Sequence, residues 1–109
     1  AARPAPMEVE GVFSYHDGDG KLNGSAIVSK RPHGAYLFQY LVVGQPQQMI
    51  GIGHREGNTI SVGWGQGSAL GVSVYRVQLD KDGKPKLVGK WTNVGMNGEE
   101  ELRWLRGLE

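Results

Sequence analysis

Trp64, Trp91 and Trp104, with Tyr36, Tyr40 and Tyr75, are the side chains of this sequence best suited to holding another molecule. Large flat rings with one polar edge give the most contact area for each side chain ordered on binding. A small β-barrel also fills its interior with such rings, so core and contact surface compete for the same six residues.

Residues able to do covalent or acid–base chemistry are sparse. With no cysteine in the chain, disulfides, thiolate metal sites and a Cys nucleophile are excluded. His16, His33 and His54 show no close metal-ligand spacing, and His33 follows Pro32 in a turn-like stretch, so no metal site is expected. Glu99, Glu100 and Glu101 are consecutive, and alternate members of a strand point to opposite faces, which sends Glu99 and Glu101 to solvent. A catalytic alternative would use His54 and Glu100 as polar groups in a barrel cavity acting on a small substrate. No Gly-x-Ser-x-Gly elbow or phosphate loop occurs, and Gly63-Trp64-Gly65-Gln66-Gly67 lacks the following helix that dinucleotide binding requires. Those glycines are expected at a bend or a close strand contact. The chain is therefore expected to be non-enzymatic and to carry no cofactor.

The run from His16 to Asn23 spaces oxygen ligands as a calcium loop does, but Tyr15 stands where the first Asp would be and Ala26 where the bidentate Glu would be. A hairpin turn accounts for it better, and Asp80-Lys81-Asp82-Gly83 repeats the same chemistry ahead of another Leu-x-Gly strand.

These residues need elements to position them. Eighteen glycines and frequent turn dipeptides cut the chain into short segments, within which β-branched and aromatic residues recur at period two. Strands are predicted near Val9 to Tyr15, Lys21 to Ser29, Ala35 to Val43, Gln48 to His54, Thr59 to Trp64, Gly71 to Leu79, Lys86 to Thr92 and Glu99 to Leu105. Ile60, Val62 and Trp64 alternate with small residues and need one covered face, whereas Tyr36 to Leu41 is apolar enough to be covered on both. Only Glu99 to Leu108 competes as a helix. Joints rich in Gly, Asp and Asn predict an antiparallel meander, and about eight short strands predict an all-β, closed or nearly closed barrel.

The chain has 109 residues, the size of one domain, read as a flexible arm over 1–7 and a barrel over 8–109. Its net charge of +1 with neither sign clustered argues against nucleic acid or anionic lipid as partner. Its longest apolar run, Leu41 to Val43 behind Tyr40, is far short of a membrane-spanning helix. The start Ala1-Ala2-Arg3-Pro4-Ala5-Pro6 has the small-residue character left by signal-peptide cleavage, which predicts a secreted or periplasmic bacterial protein.

From Tyr36 the chain runs Tyr-x-Phe-x-Tyr, Gly51-x-Gly53, Gly57-Asn58-x-Ile60-x-Val62-x-Trp64-Gly65, Val72-x-Val74-Tyr75, Asp82-Gly83, Leu87-x-Gly89-x-Trp91 and Gly98-x-Glu100-x-Leu102. This ordered set resembles a family of small bacterial exported β-domains, mostly uncharacterised and sometimes labelled fibronectin-binding. That family's pattern is YxVxW, GxG, GNxLxVxWG, VxxY, DGxLxGxW and GxExL. The resemblance covers about the last two thirds of the chain and implies adhesion without catalytic residues. Tyr40 stands where the family has Trp, and Lys84-Pro85-Lys86 is inserted before Leu87, which would lengthen a hairpin. A weaker similarity, through Asp19-Gly20-Lys21-Leu22-Asn23-Gly24, is to avidin-type eight-stranded barrels, whose ligand cup is lined by tryptophans. It implies architecture only.

The function expected from all this is a non-catalytic binding or interaction module for a protein, a glycan or a small apolar ligand. The alternative is a structural subunit of a homo-oligomer or filament, with residues 1–7 adding to a neighbour's sheet.

Overall fold

Each alternating run forms a strand: β1 (Gly11–Asp17), β2 (Leu22–Lys30), β3 (Ala35–Val42), β4 (Met49–Glu56), β5 (Thr59–Gln66), β6 (Ala69–Leu79), β7 (Pro85–Asn93) and β8 (Asn97–Arg106). The computed structural model describes residues 8–66 and 69–108, and the arm expected at 1–7 lies outside them. Every strand pairs antiparallel with its sequence neighbours, and β1 also pairs with β8, so the meander closes into an eight-stranded barrel. The segment in competition for a helix is strand β8, held in register by β7 on one side and β1 on the other.

Two joints share one construction. In the β1–β2 hairpin the Asp17 amide donates to the Lys21 carbonyl at 3.0 Å, and Asp17 Oδ1 accepts the amides of Asp19 and Lys21. In the β6–β7 hairpin Asp80 does the same with Lys84 and Asp82. Each aspartate satisfies amides that the tight turn would leave open. Of the segment Lys84-Pro85-Lys86, Lys84 closes the turn, while Pro85, buried as the first residue of β7, pairs with Leu79 and Lys86 with Gln78, so two of its three residues belong to the paired strands of the hairpin.

The inward positions are Phe13, Ala26, Val28, Tyr36, Phe38, Tyr40, Ile60, Val62, Tyr75, Val77, Leu87 and Leu102, and with Val9 they form one buried cluster. Phe38 stacks on Tyr75 with centroids 5.7 Å apart and on Tyr40 at 5.9 Å. Burial of this apolar surface is the main drive to fold. Strand β3 is covered on one face only, since Leu41, which points outward, is half exposed. The outer wall over β4 to β6 is apolar: Ile50, Gly65 and Leu70 lie in one row, Ile52, Gly63 and Val72 in the next, and the four larger side chains are exposed.

The two ends of the barrel differ. Val9 enters at the end where β2 meets β3, and Lys30 anchors that stretch through Glu8 (3.0 Å) and through its own amide to Glu10. The opposite end carries the β1–β2, β3–β4, β5–β6 and β7–β8 joints, and there the interior is not filled.

Candidate functional site

At that end a cavity of about 290 Å³ opens among Tyr15, Tyr40, Trp64, Trp91, Ser73 and Glu100, with Asn23, Val42, Gln45, Met49 and Asn93 around its rim and walls. All eight strands send it a residue, and simple alternation accounts for Phe13 to Tyr15 on β1, Phe38 to Tyr40 to Val42 on β3, Ser73 to Tyr75 on β6, and Glu100 to Leu102 on β8. Asn23 reaches it by another route. Tyr15 pairs with Gly24 and His16 with Leu22, which makes Asn23 the extra residue of a β-bulge. A bulge re-aims a side chain that regular alternation would send elsewhere.

Glycine sets the tryptophans. Trp64 lies against Gly71, its ladder partner on β6, where a Cβ would stand 2.3 Å from the ring. Trp91 lies against its own partner Gly98 on β8, where a Cβ would stand 2.8 Å from Nε1. Only hydrogen at those positions leaves room for the rings to lie flat along the wall. The Trp64 indole is further fixed by donating to Ser73 Oγ at 2.8 Å, which leaves the Ser73 hydroxyl proton to donate elsewhere.

The floor is a chain of polar groups inside an apolar barrel. The Tyr75 hydroxyl donates to Glu100 Oε2 and sits 2.9 Å from the Tyr40 hydroxyl, which therefore donates to Tyr75. Glu100 is 5% exposed, and its other oxygen, Oε1, has no hydrogen-bond partner among the described residues. Burial pushes its carboxyl up to about 7 from an ordinary 4.5, against the pull of the Tyr75 hydrogen bond. Burial also holds the Tyr15, Tyr40 and Tyr75 hydroxyls above the ordinary phenol value, so all three stay neutral beside it. Among the described residues, the cavity lining contains no Lys, Arg or His.

The six rings singled out from sequence divide by height in the barrel. Trp64 and Trp91 wall the cavity, Tyr40 lies at its floor, and Tyr75 is fully buried beneath, hydrogen-bonded to Tyr40. Tyr36 belongs to the filled half. Trp104 packs at the closed end over Gly11, donates through Nε1 to the Glu10 carbonyl at 3.1 Å, and carries the Lys84 ammonium 4.7 Å from its ring centroid. Arg103, a neighbour of Trp104 in sequence, turns instead to Glu101. Tyr15, Ser73 and Asn23 were not singled out by sequence; the alternations Phe13-x-Tyr15 and Ser73-x-Tyr75 carried a signal for the first two.

The suggested pairing of His54 with Glu100 is not made. His54 lies exposed on β4, 3.2 Å from Glu56, while Glu100 points inward. His16 is tied to Ser14 Oγ at 2.8 Å and to the Gly20 carbonyl, bracing the first hairpin. Among the described residues no three His, Asp or Glu side chains stand together as metal ligands would. Gly63, expected at a bend or close contact, faces open space on the outer wall. A broader hollow of about 850 Å³ crosses the outside of β6 to β8 between Asp17, Asp19, Glu99 and Glu101 on one side and Arg76 and Lys90 on the other. Its mixed charges and exposure to water make each pair weak.

No protein-family model and no curated protein matches this chain.

Proposed function

We propose that this chain is a non-catalytic binding module, exported from a bacterial cell, whose half-filled barrel takes a small, largely apolar ligand at its open end. The observation that carries this reading is the cavity itself, walled by Trp64, Trp91, Tyr15 and Tyr40 with a few convergent polar groups at Ser73, Asn23 and Glu100. Ligand sites are concave, mostly apolar and aromatic, and hold a small number of placed polar groups. At about 290 Å³ the cavity lies at the lower end of such sites, so the ligand is smaller than a typical drug. The company Glu100 keeps, three tyrosines that remain neutral, suits binding better than proton transfer.

The test is a titration of tryptophan emission with small aromatic and aliphatic ligands in the wild type and in Trp64→Phe, Trp91→Phe and Trp104→Phe. Saturable binding lost in the first two variants and kept in the third supports the reading. Binding that depends on Trp104, or on outer-wall residues alone, contradicts it.

A second reading, a homo-oligomeric subunit, is favoured by the exposed Ile50, Ile52, Leu70 and Val72 of the outer wall. The expected mechanism for it, strand addition, loses its template, because a closed barrel has no free sheet edge. Association would have to be face to face, and sedimentation velocity of Ile52→Lys against wild type distinguishes it.

A further inference from the structure

The cup contains one carboxyl with an unused oxygen and four aromatic rings, and among the described residues nothing in its lining carries positive charge. A ligand is therefore offered an acceptor at the floor and negative ring faces along the walls. Glu100 Oε1 has no donor among the described residues and is not sealed from the cup, whereas Oε2 already holds the Tyr75 hydroxyl. A buried carboxylate lacking a counter-charge is costly, and it gains most from a partner that brings a positive charge into the same low-dielectric space. Rings gathered around such a charge attract it through their quadrupoles, the arrangement by which aromatic cages hold ammonium groups. An anion in the same place would face the carboxylate with no compensating group. A neutral apolar ligand would leave Oε1 unpaired.

Resting on the cup's being a ligand site, the geometry points to a small organic cation as its ligand class: a primary or quaternary ammonium whose charged head meets Glu100 while Trp64, Trp91, Tyr15 and Tyr40 surround its apolar part. The Ser73 hydroxyl and the Asn23 amide stand further up the wall, where they would take a hydroxyl or carbonyl on the ligand's tail. The size limit agrees, since about 290 Å³ is on the order of ten waters' worth of volume.

Protonation of Glu100 couples to this recognition. The groups facing it are Tyr75 from β6, Tyr40 from β3 and Tyr15 from β1, all neutral; Gly89 lies across on β7, and Asp17, its ladder partner on β1, belongs to the first hairpin. Glu99 and Glu101 flank it on the other face of β8, with Lys90 opposite Glu99. Glu100 is then the group that changes charge near neutrality inside the cup, and a cation binds its ionised form.

The experiment compares choline and tetramethylammonium, whose charges do not titrate, with 3,3-dimethylbutanol, the uncharged isostere of choline, by calorimetry and tryptophan emission from pH 5 to pH 8. The cations are expected to bind at least about tenfold more tightly than the alcohol at pH 8, one favourable desolvated contact's worth. Their affinity should fall to about the alcohol's by pH 5, two units below the carboxyl's value of about 7, which removes the preference seen at pH 8, while the alcohol's does not fall. Glu100→Gln, nearly the same shape, should remove both the preference and the pH dependence. Equal or tighter binding of the alcohol, or a cation preference that survives in Glu100→Gln, overturns the cation assignment and leaves the cup a ligand site. If no probe, charged or neutral, perturbs the tryptophans up to its solubility limit, the cup reading falls with it.

Discussion

Glu100 concentrates the chemistry of the molecule in one side chain. Its folded carboxyl, at about 7, lies above the ordinary 4.5, so the native state takes up the proton before the unfolded chain does. That contribution is complete below about pH 4.5 and is lost as pH rises through about 7, at a cost of about 3 kcal/mol by linkage. Thermal melts should therefore show wild type losing stability relative to Glu100→Gln between pH 5 and pH 8; parallel curves would mean that burial does not hold the proton. Tyr75→Phe removes the hydrogen bond that pulls the carboxyl down and leaves the buried Tyr40 hydroxyl without its acceptor. It should push the Glu100 titration, followed by carboxyl NMR, upward, and destabilise the fold by about 1–3 kcal/mol at neutral pH. The sequence made Glu100 visible as the inward member of an acidic triplet, in step with Leu102. What alternation could not supply was height along the barrel axis, which decides that Trp64 walls a cavity whereas Trp104 seals the far end.

At the scale of the strand, the glycines do more than turn the chain. Gly71→Ala would place a methyl 2.3 Å from the Trp64 ring and 2.8 Å from the Thr92 carbonyl oxygen, so ring or strand must shift. Loss of about 1–3 kcal/mol is expected, with a change in tryptophan emission, and Gly98→Ala should act on Trp91 in the same direction. Gly63→Ala, on the same sheet but facing open space, should leave the stability within about 0.5 kcal/mol of wild type. If all three behaved alike, the glycines would not be seating the rings. The pairing Trp64 with Gly71 was hidden in the sequence because it depends on strand register, and register follows from the β5–β6 joint. The bulge at Asn23 was hidden for a similar reason: it is a mismatch between two strands and leaves no periodicity of its own. The strands themselves were legible, since Phe13, Phe38, Tyr75 and Leu102 all fall on the period-two face that the closed sheet buries.

The whole molecule is a barrel filled at one end and open at the other, and its stability should follow that division. Backbone amides of Val28, Ile60, Leu87 and Leu102, in the packed half, should exchange with solvent more slowly than those of Val42, Trp64 and Asn93 around the cup. Uniform protection along each strand would contradict a division between scaffold and site. The antiparallel meander was readable from eight short runs joined by turn residues, but whether it closes or only nearly closes was not, because that depends on the pairing of β1 with β8. The open end was not readable, since it depends on height along the barrel axis, which period-two alternation does not carry. Recognition at the cup is tested most directly by following the three tryptophan indole N–H signals by NMR during titration with choline at pH 8. The account predicts that the Trp64 and Trp91 signals move together and saturably while the Trp104 signal stays in place; movement of Trp104 alone, or of none, would contradict it.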